Sequence, residues 1–115
     1  KLMRLKSSLS QAPKSMLSLS TVGGTFRKAI ENFEHRVDLL SEHVDTKKVK
    51  FQVIYGLTTL EYYDGFVFGF QFDHGKYPPI AQGGRYDSLC SSLSKKGKSI
   101  CAIGSMLRMD FLRKT

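Results

Sequence analysis

The sequence lacks any long hydrophobic run. Among its 115 residues, no uninterrupted apolar stretch approaches the roughly 20 residues that cross a bilayer. The opening stretch KLMRLKSSLSQAPKS also has no apolar middle region of the kind that a secretory signal carries. These absences argue against a membrane or exported protein, and we predict a cytoplasmic one.

Cysteine and histidine are too few and too widely spaced for a recognisable metal site. Cys90 and Cys101 have no CxxC motif and no histidine at ligand spacing, so two free thiols in a reducing compartment are the simplest account. His35 and His43 lie on one predicted helix but too far apart along its axis to share a metal without a third ligand. His74 lies in a loop. We therefore predict no metal and no cofactor.

Acidic residues are outnumbered by basic ones, which raises the question of nucleic-acid binding. The 18 Lys and Arg residues against 10 Asp and Glu residues give a net charge of +8, and such a charge attracts polyanions. The basic residues are nevertheless scattered over the opening segment, the TKK turn, the KKGK loop and the last residues, without an aromatic-interleaved stripe. We therefore expect no dedicated nucleic-acid surface.

Length and composition indicate one domain preceded by a short segment. A hydrophobic share of 41% and a charged share of 24% are ordinary for a globular protein, and 115 residues suit a single modest core. Residues 1–22 are predicted to form a helical lead-in or insertion segment, broken near Pro13. The pair Gly23 and Gly24 then marks the start of the main domain, residues 23–115.

The main domain is predicted to open with a helix. Thr25 would be its N-cap, and the helix would end near His43. Apolar residues that recur at steps of four and three form its core-facing stripe: Phe26, Ile30, Phe33, Val37 and Leu40.

Two strands are predicted next, VKFQVIYG at 49–56 and LEYYDGFVFGFQF at 60–72. Alternation in the second strand gives a core face of Leu60, Tyr62, Phe66, Phe68, Phe70 and Phe72. The opposite face would carry Glu61, Tyr63, Gly65, Val67, Gly69 and Gln71. Glycines within a strand mark either the close approach of a ligand or the relief of a bulge, and both interpretations stay open for this face.

The rest of the chain completes an α+β pattern. Gly83 and Gly84 are predicted to form a turn before a helix, where unpaired N–H groups could hold a carboxylate, although such turns are often only architectural. A strand from Ile100 to about Ser105, which contains Gly104, then leads into a short helix. The order of elements predicts an antiparallel sheet flanked by helices.

Three motifs carry a family resemblance. In order, LEYYDGFVF, GGRYDSL and AIGSMLRMDFL resemble the carboxy-terminal half of the catalytic domain of the histidyl-tRNA synthetase family, over roughly residues 26–115. The resemblance implies a class II aminoacyl-tRNA synthetase-like fold and places its carboxy-terminal half at residues 23–115. It also implies that the chain is a fragment or an excised domain, because the amino-terminal half of the family's domain is absent.

The same resemblance implies a pocket for histidine. Tyr63 and Tyr86 would wall the imidazole ring, and Glu61 would supply a charge or a hydrogen-bond acceptor, whereas Arg85 would either face the ligand or brace the turn. The alternative interpretation makes the tyrosines half-buried sheet residues. The complete set of implied ligand-binding residues is Glu61, Tyr62, Tyr63, Gly83, Gly84, Arg85, Tyr86 and Gly104.

The residues that the family uses for catalysis are replaced. Thr58 and Phe111 stand where the family has arginines that serve histidine activation and ATP binding, Arg108 replaces a glycine, and no arginine occurs from Phe51 to Gly84. Adenylate formation needs cations placed on the phosphates, so we expect no catalytic residues and no enzymatic activity.

This combination resembles the regulatory subunit of the short form of ATP phosphoribosyltransferase, from histidine biosynthesis. That resemblance implies a non-catalytic protein that assembles with the catalytic subunit and binds L-histidine for feedback inhibition. Because the absent half of the domain would leave a sheet edge exposed, we also predict self-association or poor solubility. Two alternatives stay open: a fragment of a histidyl-tRNA synthetase that activates histidine and charges tRNA, and a synthetase-like RNA-binding domain.

Overall fold

A computed structural model of the chain describes residues 2–19, 23–57, 60–72 and 76–113. Their contacts divide the chain into two compact units, Lys1–Tyr55 and Gly56–Thr115. The boundary predicted after residue 22 adjoins residues 20–22, which lie outside the described residues. No helix among the described residues is long and apolar enough to cross a membrane.

The first unit combines two helices with a short two-stranded sheet. Its strands are β1 (Lys6–Ser8) and β2 (Lys50–Gln52), and its helices are α1 (Ala12–Leu19) and α2 (Gly24–Ser41). Short 3-10 segments occupy Leu2–Arg4 and Leu9–Gln11, and a third, Val53–Leu57, contains the boundary between the two units. The strands pair antiparallel, with Ser7 opposite Phe51. Strand β1 corrects the purely helical prediction for the opening segment, because three residues are too few to show an alternating pattern.

Helix α2 carries the core of the first unit. The predicted stripe is confirmed, since Ile30 and Val37 are buried and Phe33 packs against Phe51 of β2 with ring centroids 5.2 Å apart. The start of the helix differs from the prediction. The helix begins at Gly24, one residue before the predicted cap at Thr25, and its N-cap residue Gly23 makes no side-chain cap hydrogen bond. Helix α1 begins next to Pro13, as expected for a proline in a first turn.

Strand β2 is shorter than the predicted strand at 49–56. The last bond to the opening segment runs from the Val53 amide to the Leu5 carbonyl, 3.3 Å apart. Beyond this bond the partner strand has ended, and the chain turns into the 3-10 segment Val53–Leu57. The length of β2 is set by the length of its partner strand β1. Alternation within one strand carries no information about that length.

The second unit is built on a three-stranded antiparallel sheet. Its strands β3 (Val67–Phe70), β4 (Ala81–Arg85) and β5 (Ile103–Leu107) lie side by side in that order. Two short helices belong to the same unit, α3 (Asp87–Leu93) between β4 and β5, and α4 (Met109–Leu112) after β5. The mixture of helices with an antiparallel sheet confirms the predicted α+β fold class.

The long strand predicted at 60–72 is wrong over its first half. Only Val67–Phe70 pairs as a strand, whereas Glu61 and Tyr62 form a turn that is closed by a bond from the Tyr63 amide to the Leu60 carbonyl. The predicted core face is also wrong, because Phe70 in β3 is 61% exposed and Leu60, Tyr62 and Phe72 are exposed as well. The turn forms because this stretch bonds to a distant part of the chain, as described below.

The turn predicted at Gly83 and Gly84 is also wrong, because both residues lie inside the central strand β4. Phe68 faces Gly83 and Val67 faces Gly84 across one edge of this strand. Both glycines are buried, and a side chain on either would collide with its neighbours. The glycine pair therefore reflects close packing on both faces of the sheet rather than a turn.

We expect Ile30→Ala to destabilise the first unit. Ile30 is only 2% exposed, and removing a buried isoleucine side chain costs about 2–5 kcal/mol of unfolding free energy. Urea unfolding followed by far-UV circular dichroism measures this loss. The matched control is Leu39→Ala on the same helix, where the residue is 51% exposed and the expected loss stays below about 1 kcal/mol. Equal losses in the two variants would contradict the core assigned here.

Candidate functional site

A cleft of about 440 Å³ opens on the second unit. It lies beside the sheet and between the turn before β3 and the start of α3. The lining residues come from the turn, β4, α3 and β5: Leu60, Tyr62, Tyr63, Gln82, Tyr86, Leu89, Gly104, Ser105 and Met106. We call this cleft the tyrosine pocket.

Two facing glycines form part of the sheet surface beneath the pocket. Gly84 of β4 lies opposite Gly104 of β5 in the antiparallel register. A Cβ on Gly84 would lie 2.8 Å from a ring carbon of Tyr63, and a Cβ on Gly104 would lie 2.6 Å from the phenol oxygen of Tyr86. The two tyrosines therefore occupy the space that side chains at these positions would fill.

Three tyrosine rings form the walls of the pocket. The ring centroids of Tyr62 and Tyr63 are 4.8 Å apart, and the ring of Tyr86 lies 5.8 Å from Tyr62 and 6.2 Å from Tyr63. Tyr62 and Tyr86 meet edge to face at 86°, an arrangement that aromatic pairs favour. The resemblance had named all three residues, together with Gly104, and the structure brings the four together.

The other residues implied by the resemblance do not line the pocket. Glu61 is exposed on the turn, and Gly83 and Gly84 are buried in the sheet. Arg85 braces the structure instead of facing the pocket: its Nε donates to Asp87 over 2.7 Å, and one terminal nitrogen lies 3.4 Å from the sulfur of Cys101.

Two carboxylates connect the segments around the pocket. Asp64 accepts the backbone N–H groups of Asp87 and Ser88, at 3.2 Å and 2.6 Å, and Asp87 accepts the N–H of Ala102 at 2.8 Å. Hydrogen bonds from Ser88 are the main cause that lowers the pKa of Asp64. The Ala102 N–H, followed by Arg85, lowers the pKa of Asp87. The helix start therefore does hold a carboxylate, as the sequence suggested, but the carboxylate belongs to the chain itself.

Several lining residues were not predicted. Gln82 and Met106 face each other across β4 and β5, two residues along from the Gly84 and Gly104 pair, so they share its face of the sheet. Alternation from Gly84 would have indicated Gln82 if β4 had been recognised as a strand. Leu60, Leu89 and Ser105 give no comparable signal, because their placement depends on the turn, on α3 and on the register.

The described residues that line the pocket carry no charged side chain. Three aromatic rings present faces and edges that pack against a flat ring or a cation, while phenol hydroxyls and the Gln82 amide offer hydrogen bonds. Phosphate groups need cations or clustered N–H donors. The pocket therefore suits an aromatic or imidazole ring better than a phosphate.

Of the two positions where the resemblance places arginines, only Phe111 lies in the described part of the chain, and it does not line the pocket. Phe111 is half-buried in α4 and packs near Tyr77, with ring centroids 6.5 Å apart, and Thr58 lies outside the described residues. The Nε atom of Arg108 is buried and has no hydrogen-bond partner among the described residues. Within the described part of the chain, no group of three His, Cys, Asp or Glu residues could hold a metal ion.

Helices combined with an antiparallel sheet, and three tyrosines gathered at one pocket, are consistent with the class II aminoacyl-tRNA synthetase-like domain that the motifs implied. The family model described as histidyl-tRNA synthetase matches residues 1–112, which include the opening segment that the motifs did not reach. The chain belongs to the histidyl-tRNA synthetase family.

Curated relatives carry the same family name but are much longer. A histidine–tRNA ligase of Borreliella burgdorferi (strain ZS7) is 28% identical over 115 residues, which cover 90% of this chain and 25% of the relative. One of Borreliella afzelii (strain PKo) is 27% identical over 111 residues, covering 86% of this chain and 24% of the relative. The chain thus spans about a quarter of the curated relatives that it matches. No solved structure matches it significantly.

We expect Gly104→Ala to displace Tyr86 at a small cost in stability. The new Cβ would meet the end of a side chain, so the expected loss is about 1 kcal/mol, the low end for overpacking. Because the chain has five tyrosines and no tryptophan, the tyrosine band of the near-UV circular dichroism spectrum reports the displacement.

Two further glycine variants serve as comparisons for Gly104→Ala. Gly83→Ala should be costlier, because its Cβ would meet the Gly104 carbonyl oxygen, which belongs to the backbone of the sheet. Gly56→Ala is the control, since its Cβ would make an ordinary 3.7 Å contact with Val67. An unchanged tyrosine band in Gly104→Ala would contradict the placement of Tyr86.

Proposed function

We propose that the tyrosine pocket binds L-histidine. The observation that supports this proposal most directly is the uncharged wall of three tyrosines beside Gly104, in a chain whose family is named for histidine. An imidazole ring is flat, is amphipathic and carries a positive charge when protonated, and tyrosine faces attract such rings. The phenol hydroxyls of the wall supply partners for the ring nitrogens.

We further propose that binding is regulatory and not catalytic. Activation of histidine would require ATP beside the amino acid, with cations on its phosphates. The nearest arginine in sequence to the tyrosine wall, Arg85, is engaged by Asp87 and Cys101, and Phe111 takes the place of an ATP-binding arginine in the resemblance. A protein that recognises histidine without ATP fits the regulatory subunit of ATP phosphoribosyltransferase, where histidine would inhibit the catalytic subunit. This role places the protein in the cytoplasm.

The second candidate is a histidyl-tRNA synthetase that activates histidine and charges tRNA. The names of the curated relatives favour it, although each relative is about four times the length of the matched region. In this case the missing cations would have to come from residues other than Thr58 and Phe111.

Calorimetric titration of L-histidine into the full chain tests the proposed ligand. We expect micromolar binding, equivalent to about 8 kcal/mol, and its loss in Tyr63→Ala, because the ring of Tyr63 lies directly on Gly84. Tyr77→Ala is the matched control, since Tyr77 is exposed and does not line the pocket. Binding that survives Tyr63→Ala would count against this pocket.

The same protein samples separate the two functions. Histidine-dependent exchange of pyrophosphate into ATP requires formation of the adenylate, so the regulatory role predicts no exchange. Histidine binding with no exchange supports the regulatory role, whereas exchange that depends on histidine would establish the synthetase and overturn it.

We also propose that the protein associates with itself through the second unit. Among the described residues, β5 has a partner strand on one side only, and its side chains Ile103 and Leu107 are 68% and 54% exposed. Open strand edges with apolar side chains favour pairing with another chain.

Light scattering measures this association directly. The molar mass of the 13.0 kDa chain is expected to exceed that of a monomer, and Ile103→Lys should lower it, because a charged side chain opposes pairing beside an open edge. Leu93→Lys is the control, as Leu93 is 75% exposed on α3 and outside the sheet. A monomer at every concentration would refute the association.

A further inference from the structure

Hydrophobic burial does little to hold the tyrosine pocket together. Among the described residues of the second unit, only Gly83 and Gly84 are buried, and neither has a side chain. Tyr62 is 43% exposed, and Leu60 beside it is 49% exposed. Rings that are so accessible need something other than a packed core to keep one arrangement.

Hydrogen bonds that the Asp64 carboxylate accepts provide that constraint for the turn before β3. Asp64 immediately follows Tyr62 and Tyr63, and its two carboxylate oxygens accept the N–H groups of Asp87 and Ser88 at the start of α3. Its own amide donates to the carbonyl of Arg85, 3.1 Å away. The turn that carries two tyrosines is therefore fixed to the segment that carries the third.

Asp87 continues the connection to β5. It immediately follows Tyr86, and its carboxylate accepts the N–H of Ala102, two residues before Gly104. The Tyr86 amide donates back to the Ala102 carbonyl over 2.9 Å. Asp64 and Asp87 thus link the three segments that supply the tyrosines and part of the floor.

We propose that Asp64 is a positioning residue, whose carboxylate holds Tyr62 and Tyr63 against Tyr86 and so shapes the pocket for its ligand. The inference rests on the proposed function, because the pocket is the one proposed to take histidine. Asp64 itself does not line the pocket, so it acts through the rings.

The geometry calls for a carboxylate at this position. Two backbone donors point at two separate oxygens, and an ionised carboxylate accepts at both. An asparagine has the same shape but only one acceptor oxygen, so its amide would face one of the two N–H groups donor to donor. We therefore expect Asp64→Asn to release the turn while leaving the sheet register in place.

Tyrosine ring resonances test the inference without any ligand. In the full chain with isotope-labelled tyrosine, Asp64→Asn is expected to shift the rings of Tyr62, Tyr63 and Tyr86, and to leave Tyr55 and Tyr77 near their original positions. The matched control is Asp38→Asn, an exposed aspartate on α2, which should shift none of the three. Unmoved pocket rings in Asp64→Asn would overturn the inference.

A pH titration of the unaltered protein gives a second test that needs no variant. Hydrogen bonds lower the pKa of Asp64, so its contribution is complete at neutral pH and is lost as the pH falls through the depressed pKa. As the pH is lowered, the resonances of the three pocket rings should shift at a higher pH than the resonances of Tyr77. Arg85 and Asp87 also lie near Asp64, and a titration of the rings that persists unchanged in Asp64→Asn would assign the effect to Asp87 and reject the inference.

Histidine affinity provides a quantitative third test. If Asp64 only positions the rings, Asp64→Asn weakens histidine binding only by reducing the fraction of molecules whose rings keep the original arrangement. The apparent dissociation constant should then equal that of the unaltered protein divided by this fraction. A much larger loss than this fraction allows would mean direct contact with the ligand, against the inference. If the unaltered protein does not bind histidine, the proposed function fails, and the ring resonances still judge the role of Asp64.

Discussion

The pocket depends on the close approach of two tyrosine rings to a sheet that has no side chains beneath them. Gly84 and Gly104 face each other across β4 and β5, and the rings of Tyr63 and Tyr86 lie where their side chains would be. Any larger residue at either position would push a ring outward. Because Gly84 and Gly104 have no side chains, the rings of Tyr63 and Tyr86 can lie close to the sheet. The hydrogen bonds of the segments that carry the rings then fix where the rings lie relative to one another.

Local patterns predicted the helix better than the bounds of the strands. The stripe of α2 continues over about four turns, and its buried members Ile30 and Val37 follow from periodicity alone. The stretch at 60–72 alternates just as clearly, yet its first half does not pair as a strand: Glu61 and Tyr62 form a turn, and Asp64 bonds to the start of α3, 23 and 24 residues away. An alternating pattern carries no information about such distant partners, so tertiary hydrogen bonds overrode it.

The candidate site was predictable to the extent that motifs carried it. Tyr62, Tyr63 and Tyr86 came from the family resemblance and lie together around the pocket. Glu61 and Arg85 came from the same motifs, but neither lines the pocket, since one is exposed on the turn and the other binds Asp87. Motifs specify residue types near a site, whereas strand register and hydrogen bonds decide which of them face it.

Charge placement bears on function more directly than net charge does. The chain carries a net charge of +8, yet no described lining residue of the pocket is cationic, and the arginine next to Tyr86 is committed to Asp87 and Cys101. Freeing that arginine for a phosphate would cost the bond to the carboxylate that also anchors β5. A site built in this way has the arginine next to Tyr86 engaged in holding its shape, which supports recognition of a ring over transfer chemistry on a nucleotide.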